Sequence, residues 1–276
     1  MGDIMDKNQA ANHNFFSWRW LFYLLCVFIF LFLILPIFVI IPISFSSARF
    51  LQFPPQGFSL QWYADYFGSR VWVSATLLSF QVGILTTLFA TFLGVLASLA
   101  LVRGNFKGKK LIYALLISPL IIPVIIVGVS LYYFFSWLHI IGTMWGLVMA
   151  HTCLALPFVV VNVTATLQGF DITLERAALS LGASRFTTFM KVTFPLIRPG
   201  VITGALFAFI TSFDEVVIAI FISGSRAVTL PKQMWDGIRI SINPTISAVS
   251  SLLIVFSIFL LLSTEMLRRY SEKKYR

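Results

Sequence analysis

Six long apolar stretches, bounded by turn formers or basic residues, constrain this chain more than any other feature of its sequence. A helix needs about 20 predominantly apolar residues to cross a hydrocarbon core about 30 Å thick. In lipid every backbone polar group must be satisfied internally, which leaves helices and closed barrels as the crossing structures. The stretches predict helical spans at about 20–43, 73–102, 111–135, 144–167, 201–222 and 248–267. The second is overlong for one crossing and implies tilt or extension beyond the bilayer. The expected fold is therefore an all-α polytopic membrane protein of about six transmembrane helices, with both termini on one side. Composition agrees: 59% of the 276 residues are hydrophobic and 11% are charged, against about 25% charged in a soluble domain.

Residues 1–19 lack the basic start and the small-residue cleavage site of a signal peptide, so the first span reads as uncleaved, with Pro36 and Pro42 bending its outer half. Residues 44–71 contain FPPQGFSLQWY and read as a structured extramembrane loop. The net charge of +10 is distributed unevenly. One set of segments holds Lys7, Arg19, Arg103, Lys107, Lys109, Lys110, Arg176, Arg185, Lys191, Arg198 and the five basic residues of the tail 268–276. The other set holds Arg49, Arg70, Arg226, Lys232 and Arg239. Basic residues concentrate on the cytoplasmic side, so both termini and the segment 171–200 are expected in the cytoplasm. The basic excess is thus a topology signal, and no nucleic-acid partner is expected. The chain divides into a cytoplasmic segment 1–19, a transmembrane domain 20–267 and a cytoplasmic tail 268–276.

No catalytic constellation emerges. GxxxxGK[ST], HExxH and GxSxG are absent, and His13, His139 and His151 fall on separate segments. His151 reads first as bonded to a neighbouring helix and second as lining a cavity. Cys26 and Cys153 lie in apolar spans and read as small buried hydrophobes. No catalytic, cofactor-binding or metal-ligating residue is expected. The acids Asp214 and Glu215 fall in the outer half of the fifth span, where an ionised carboxylate costs on the order of 3 kcal/mol unless it meets a wet cavity or a partner. On a continuous helix the two would point about 100° apart, one towards a translocation path and the other towards a neighbouring helix or subunit; an interhelical hydrogen bond or ion pair is the alternative. Tyr132, Tyr133, Trp137 and Trp145 lie near the adjoining ends of spans three and four, where an aromatic belt also accounts for them. PKQMWDGIRISI, from Pro231 to Ile242, fits a short interfacial helix carrying Trp235, either a plain connector or an element with a gating or docking role. Glu265 reads as a residue of the inner boundary of span six.

The segment from Asp171 to Gly200 is polar, helix-prone and basic between two apolar walls. Asp171 or Thr173 suits a helix cap, and Glu175 falls in the first turn, where a negative charge complements the helix dipole. Ala177, Ala178, Leu181 and Arg185 recur at helical spacing. Gly182 breaks the pattern, Ser184 suits a second cap, and Pro195 and Pro199 mark the start of the next span. Helix, break and helix between membrane spans make a part for another protein to hold.

ERAALSLGASRFTTFMKVTFP within this segment resembles the cytoplasmic signature of permease subunits of ATP-binding-cassette importers. That signature is Glu-Ala-Ala, three residues, Gly, nine residues and Ile-x-Leu-Pro. Ala177, Ala178, Gly182 and Pro195 match in register; Arg176 stands in place of the Glu, with Glu175 one position upstream, and Val192 and Phe194 stand for Ile and Leu. GFSLQWY, ALPFVVV, SFDEVVIAIFISG and LPKQMW extend the resemblance to the spermidine/putrescine branch. The resemblance implies a type I importer permease (MetI-like) fold in the inner membrane. It also implies a second, homologous permease subunit, two ATPase subunits that bind ATP and Mg, and a periplasmic substrate-binding protein. Glu175, Arg176, Ala177, Ala178, Leu181, Gly182 and Pro195 would then couple to the ATPase, while Asp214, Glu215, Tyr132, Tyr133, Trp137 and Trp235 become candidates for the substrate path. Polyamine permeases of this branch carry an acid just after the proline of span three, where this chain has Val124 after Pro123. Polyamine is the first expectation for the cargo, and a less charged amino-acid-like or opine-like solute the second. A membrane scaffold or receptor without transport is the reading from another class.

Overall fold

A computed structural model describes residues 3–240 and 243–274, with side chains described for 18–240, 243–260 and 262. The expectations placed on the side chains of Lys7, His13, Ile242, Glu265 and the basic tail lie outside these residues. Helix is the only regular structure among the described residues, and the contacts divide the chain into two compact units.

The first unit comprises 1–66 and 242–261. Helix α1, Asp3–Ser44, contains the apolar run Trp18–Ser44, and Pro36 and Pro42 lie inside it. Most of its apolar side chains from Trp20 to Leu35 are exposed, as a lipid-facing span requires. The segment after it is structured by polar contacts. Trp62 Nε1 donates to the Ser46 carbonyl at 2.8 Å, the Ser44 and Tyr63 hydroxyls lie 2.7 Å apart, and the Thr245 hydroxyl donates to Asp65 at 2.6 Å. Helix α2, Gln61–Gly68, closes this segment.

The second unit, 67–241 with 262–276, is built on α3 (Arg70–Arg103), α6 (Met144–Gly169) and α9 (Phe194–Phe213). These helices meet at glycines. A Cβ on Gly94 of α3 would lie 2.6 Å from Val159 Cγ1, and one on Gly204 of α9 would lie 2.9 Å from Val159 Cα. Val159 of α6 is fully buried between them, with Ala155, Val163, Leu167 and Ile197 completing this part of the core. Small residues that let backbones approach are the usual basis of helix packing in membranes, where no hydrophobic force drives helices together. Helices α4 (Lys109–Ile117), α5 (Val124–Trp137), α10 (Val217–Ile222) and α11 (Leu230–Ile240) add to this bundle. Gly128 of α5 admits the Phe221 ring of α10 so closely that a Cβ would come within 2.8 Å of it. Helices α7 (Thr173–Ser180) and α8 (Arg185–Thr188) form the polar segment between α6 and α9, and α12 (Thr245–Lys274), the last helix in chain order, has its first part, to Leu261, in the first unit.

Two of the expected spans differ in detail. Span three, expected as one helix over 111–135, is bent by 102° between Leu120 and Val124. Pro123 has ψ 128°, outside the helical region, and a proline disfavours helical geometry in the residue before it, so Pro119 and Pro123 break the element. Span five starts earlier and stops earlier than 201–222: the helix runs from Arg185 through a π turn at Phe189–Thr193 to Phe213. Pro195 has no N–H to give to the preceding turn, and its ring crowds the carbonyl four residues back. The wider π turn relieves both problems, with the Phe194 N–H reaching the Phe189 carbonyl. Pro195 and Pro199 therefore lie within the helix and do not delimit it. Among the described residues four helices are long and apolar enough to cross a membrane, or five if the bent pair is one span. The expected sixth corresponds to α12, whose apolar part is described over Thr245–Leu260.

Candidate functional site

The segment 171–200 folds as helix, turn and helix. Asp171 Oδ1 accepts the Thr173 N–H at 2.9 Å, and these hydrogen bonds from Thr173 hold the Asp171 carboxyl below the usual carboxylate range. Helix α7 ends at a glycine in the left-handed region, Gly182 with φ +85°. The Gly182 N–H reaches the Leu179 carbonyl at 3.0 Å and the Ala183 N–H reaches the Ala178 carbonyl at 3.1 Å, the paired bonds of a Schellman cap. A Cβ at Gly182 would meet nothing within 4 Å, so backbone conformation, not space, requires glycine here. The Ser184 hydroxyl then accepts the Thr187 N–H at 3.1 Å and starts the next helix.

This turn presents an apolar tip. Leu181 is 89% exposed, and Leu174, Leu179, Phe186 and Met190 are exposed around it, together with Ala177 and Arg176. Ala178 and Pro195 are half-buried.

Glu175 faces the opposite way. Its carboxylate pairs with Arg103 at the end of α3, Nε to Oε2 at 3.1 Å, and accepts the Thr193 hydroxyl at 2.9 Å. The Arg103 guanidinium also lies over the Phe170 ring, 4.8 Å from its centroid. One carboxylate thus ties α7 to the end of α3 and to the π turn that leads into α9. The pairing joins residues 72 positions apart, and nothing in the local pattern around either residue announces it.

Towards the other end of the bundle, Asp214 and Glu215 sit in a break between α9 and α10, not within a continuous helix. On this broken backbone the two side chains are not set about 100° apart as they would be on a continuous helix. Glu215 Oε1 accepts the Ile218 N–H at 2.9 Å and caps α10, while Asp214 is exposed and its carboxylate makes no hydrogen bond among the described residues. The available signal was chemical: an acid in an apolar run can satisfy the first free N–H groups of a new helix. His151 of α6 is buried with Nδ1 at 3.0 Å from the Ser212 hydroxyl and 3.1 Å from the Ser212 carbonyl on α9. It links the two helices just before the break, in keeping with the first reading of that residue.

Tyr132, Tyr133 and Trp137 lie on α5, which packs against α10. The two tyrosine rings are edge to face at 5.7 Å, Trp137 stacks on Phe134, and Tyr133 and Trp137 are exposed. Trp145, at the start of α6, meets Phe89 of α3 edge-on. Trp235 lies on amphipathic α11, where Lys232 and Asp236 pair one turn apart at 2.6 Å and the Leu230 N–H donates to Ser79 of α3 at 2.7 Å. The acids and the α5 aromatics are thus on neighbouring elements, with no hydrogen bond joining them among the described residues. The described residues contain no cluster of three or more His, Cys, Asp or Glu able to hold a metal ion.

Residues 90–276 match the sequence profile of a family described as "Binding-protein-dependent transport system inner membrane component". Over 238 residues the chain is 33% identical to the spermidine/putrescine transport system permease protein PotC of Escherichia coli (strain K12), covering 86% of this chain and 90% of that one. It is 34% identical over 229 residues to the putrescine transport system permease protein PotI of the same organism, covering 79% and 80%. A crystal structure of a bacterial alginate ABC transporter, in complex with alginate pentasaccharide-bound periplasmic protein, shares the fold. The TM-score is 0.73 at 17% identity, over 92% of this chain and 96% of that one.

Proposed function

The chain belongs to the family of binding-protein-dependent transport system inner membrane components, and on that premise we propose that it is the permease subunit of an ATP-driven importer of a polyamine such as spermidine or putrescine. The observation that carries the reading is the similarity to two polyamine permeases over most of the chain, and the exposed apolar turn at Leu181 supplies a surface for the ATPase. Substrate crosses by alternating access between this chain and a second, homologous permease subunit. A periplasmic binding protein delivers it, and two ATPase subunits bind ATP and Mg and hydrolyse the nucleotide. The chain itself is not an enzyme and holds no cofactor. Its contribution is mechanical: Leu181 and its apolar neighbours fit a groove of the ATPase, and Glu175 transmits the movement of α7 to α3 and α9.

The N- and C-termini are cytoplasmic in this reading, supported by the bias of basic residues. A reporter fused after Arg276 is expected to be active in the cytoplasm; activity in the periplasm would reverse the topology.

Asp214 is the acid we assign to the path, because Glu215 is engaged in capping α10. Replacing Asp214 with Asn removes one charged partner of a cation, and a hydrogen bond to a charged group contributes about 1.5–3 kcal/mol. Half-saturation of spermidine uptake is expected to rise about tenfold or more, with assembly unchanged. Unaltered uptake kinetics would make Asp214 a structural residue.

Val124 favours a second reading of the cargo. It packs against the apolar core at the start of α5, at the position where the resemblance to polyamine permeases implies an acid, so a less charged amino-acid-like or opine-like solute is the alternative. The deciding experiment measures ATPase activity of the purified transporter with its binding protein loaded with spermidine, putrescine or an amino acid. Stimulation by the polyamine-loaded form alone supports the proposal. Stimulation only by another ligand refutes the polyamine assignment, and absence of any associated ATPase leaves a membrane scaffold or receptor.

A further inference from the structure

A cavity of about 550 Å³ opens between the end of α3, the first turn of α4 and the end of α6. Lys109, Lys110, Tyr113, Thr164 and Gln168 supply its polar side, and apolar residues such as Leu101 supply the remainder. No carboxylate is among the residues that line it. The nearby Arg103 is already paired with Glu175, whereas Lys109 has only a long 3.4 Å bond to the Gly104 carbonyl and Lys110 is exposed. Lys109 and Lys110 are the first residues of α4, so the unbonded N–H groups of that helix start add partial positive charge to that of the two ammonium groups. Thr164 is only 7% exposed, yet its hydroxyl finds no hydrogen-bond partner among the described residues. That oxygen is closed off from the cavity, so Thr164 shapes the wall while the two lysines supply the charge that meets a ligand.

We propose that this cavity binds the phosphate headgroup of an anionic phospholipid, with the first part of its acyl chains against the apolar wall around Leu101. A cationic cargo is repelled here, so the cavity is no part of a polyamine path. Free phosphate would use the lysines and leave the apolar wall unemployed. Basic pockets between spans at the cytoplasmic face are suited to such headgroups. The choice of inner leaflet rests on the orientation proposed above; the site itself needs only a membrane boundary at this end of the bundle.

The test uses the assembled transporter in nanodiscs of phosphatidylcholine doped with phosphatidylglycerol, with retained lipid counted by native mass spectrometry after mild delipidation. Each lysine near a charged membrane surface changes affinity roughly fivefold, so K109Q/K110Q is expected to lower phosphatidylglycerol retention by more than about tenfold. K107Q, which changes an exposed lysine outside the cavity, is expected to leave retention unchanged. T164V, which changes a hydroxyl closed off from the cavity without altering charge, is expected to leave retention unchanged. Equal retention by K109Q/K110Q, or an equal loss in K107Q, would overturn the site. Displacement of phosphatidylglycerol by inorganic phosphate at the same concentration would make the ligand a free phosphate and remove the lipid assignment. A periplasmic reporter at the C-terminus would move the site to the outer leaflet and leave these retention values as they are.

Discussion

Gly182→Val should lower coupled uptake by about 5–30 fold while leaving the chain inserted and folded. Gly182 sits at φ +85°, a region that costs an ordinary L-residue about 1–2 kcal/mol and a β-branched one more. A penalty of one or two kcal/mol changes a conformational population by about 5–30 fold, and the population at stake is the turn that presents Leu181. Because a Cβ would meet nothing within 4 Å, the defect comes from backbone conformation. Gly182→Asn should therefore retain much more uptake than Gly182→Val, since Asn tolerates the left-handed region. Uptake and ATPase activity of the two variants, compared side by side in membranes with equal amounts of chain, check this. Equal loss in both would point to steric exclusion by the partner, and normal uptake in Gly182→Val would remove the turn from the coupling.

Charge reversal at Glu175 should be as damaging, and reversible. The Arg103–Glu175 pair is mostly shielded, with side-chain exposures of 22% and 14%. Its disruption falls between the ~1 kcal/mol of an exposed pair and the ~3–5 kcal/mol of a buried one. Glu175→Arg places two cations together and strips Thr193 of its acceptor, so uptake should fall by at least about tenfold, the equivalent of 1.4 kcal/mol. Combining it with Arg103→Glu should restore part of the loss. Full recovery is not expected, because the guanidinium contact with Phe170 is then gone. A double variant no better than Glu175→Arg alone would mean that Glu175 acts on the ATPase and not through α3.

The apolar runs and the basic residues around them were sufficient for an all-helical membrane protein, because helix length and hydrocarbon thickness are matched by one simple relation. The turn at Gly182 was legible for a similar reason: a glycine after a helical repeat, followed by Ser184, is local chemistry. The break at Pro119–Pro123 was not, since prolines occur inside membrane helices whenever neighbours satisfy the freed carbonyls. Packing of Gly128 against Phe221 is part of what holds α5 in its bent course, and that contact joins distant segments. Asp214 and Glu215 were identified as unusual, but their placement in a break depended on Glu215 acting as a cap. The inward turn of Glu175 was likewise invisible, since its partners Arg103 and Thr193 belong to other elements. It also changes the comparison with the family signature: the acid one position upstream of the expected glutamate is internal, and the exposed position carries Arg176.

The central claim, that this chain is the membrane path of an ATP-driven polyamine importer, is tested most directly by uptake into proteoliposomes. The chain is reconstituted with its partner permease and ATPase subunits, ATP is enclosed on the ATPase side, and labelled spermidine is offered with the binding protein outside. The account predicts accumulation against a gradient that requires both ATP and the binding protein and is strongly reduced in Gly182→Val. ATP hydrolysis stimulated by the loaded binding protein without any accumulation of spermidine would contradict it.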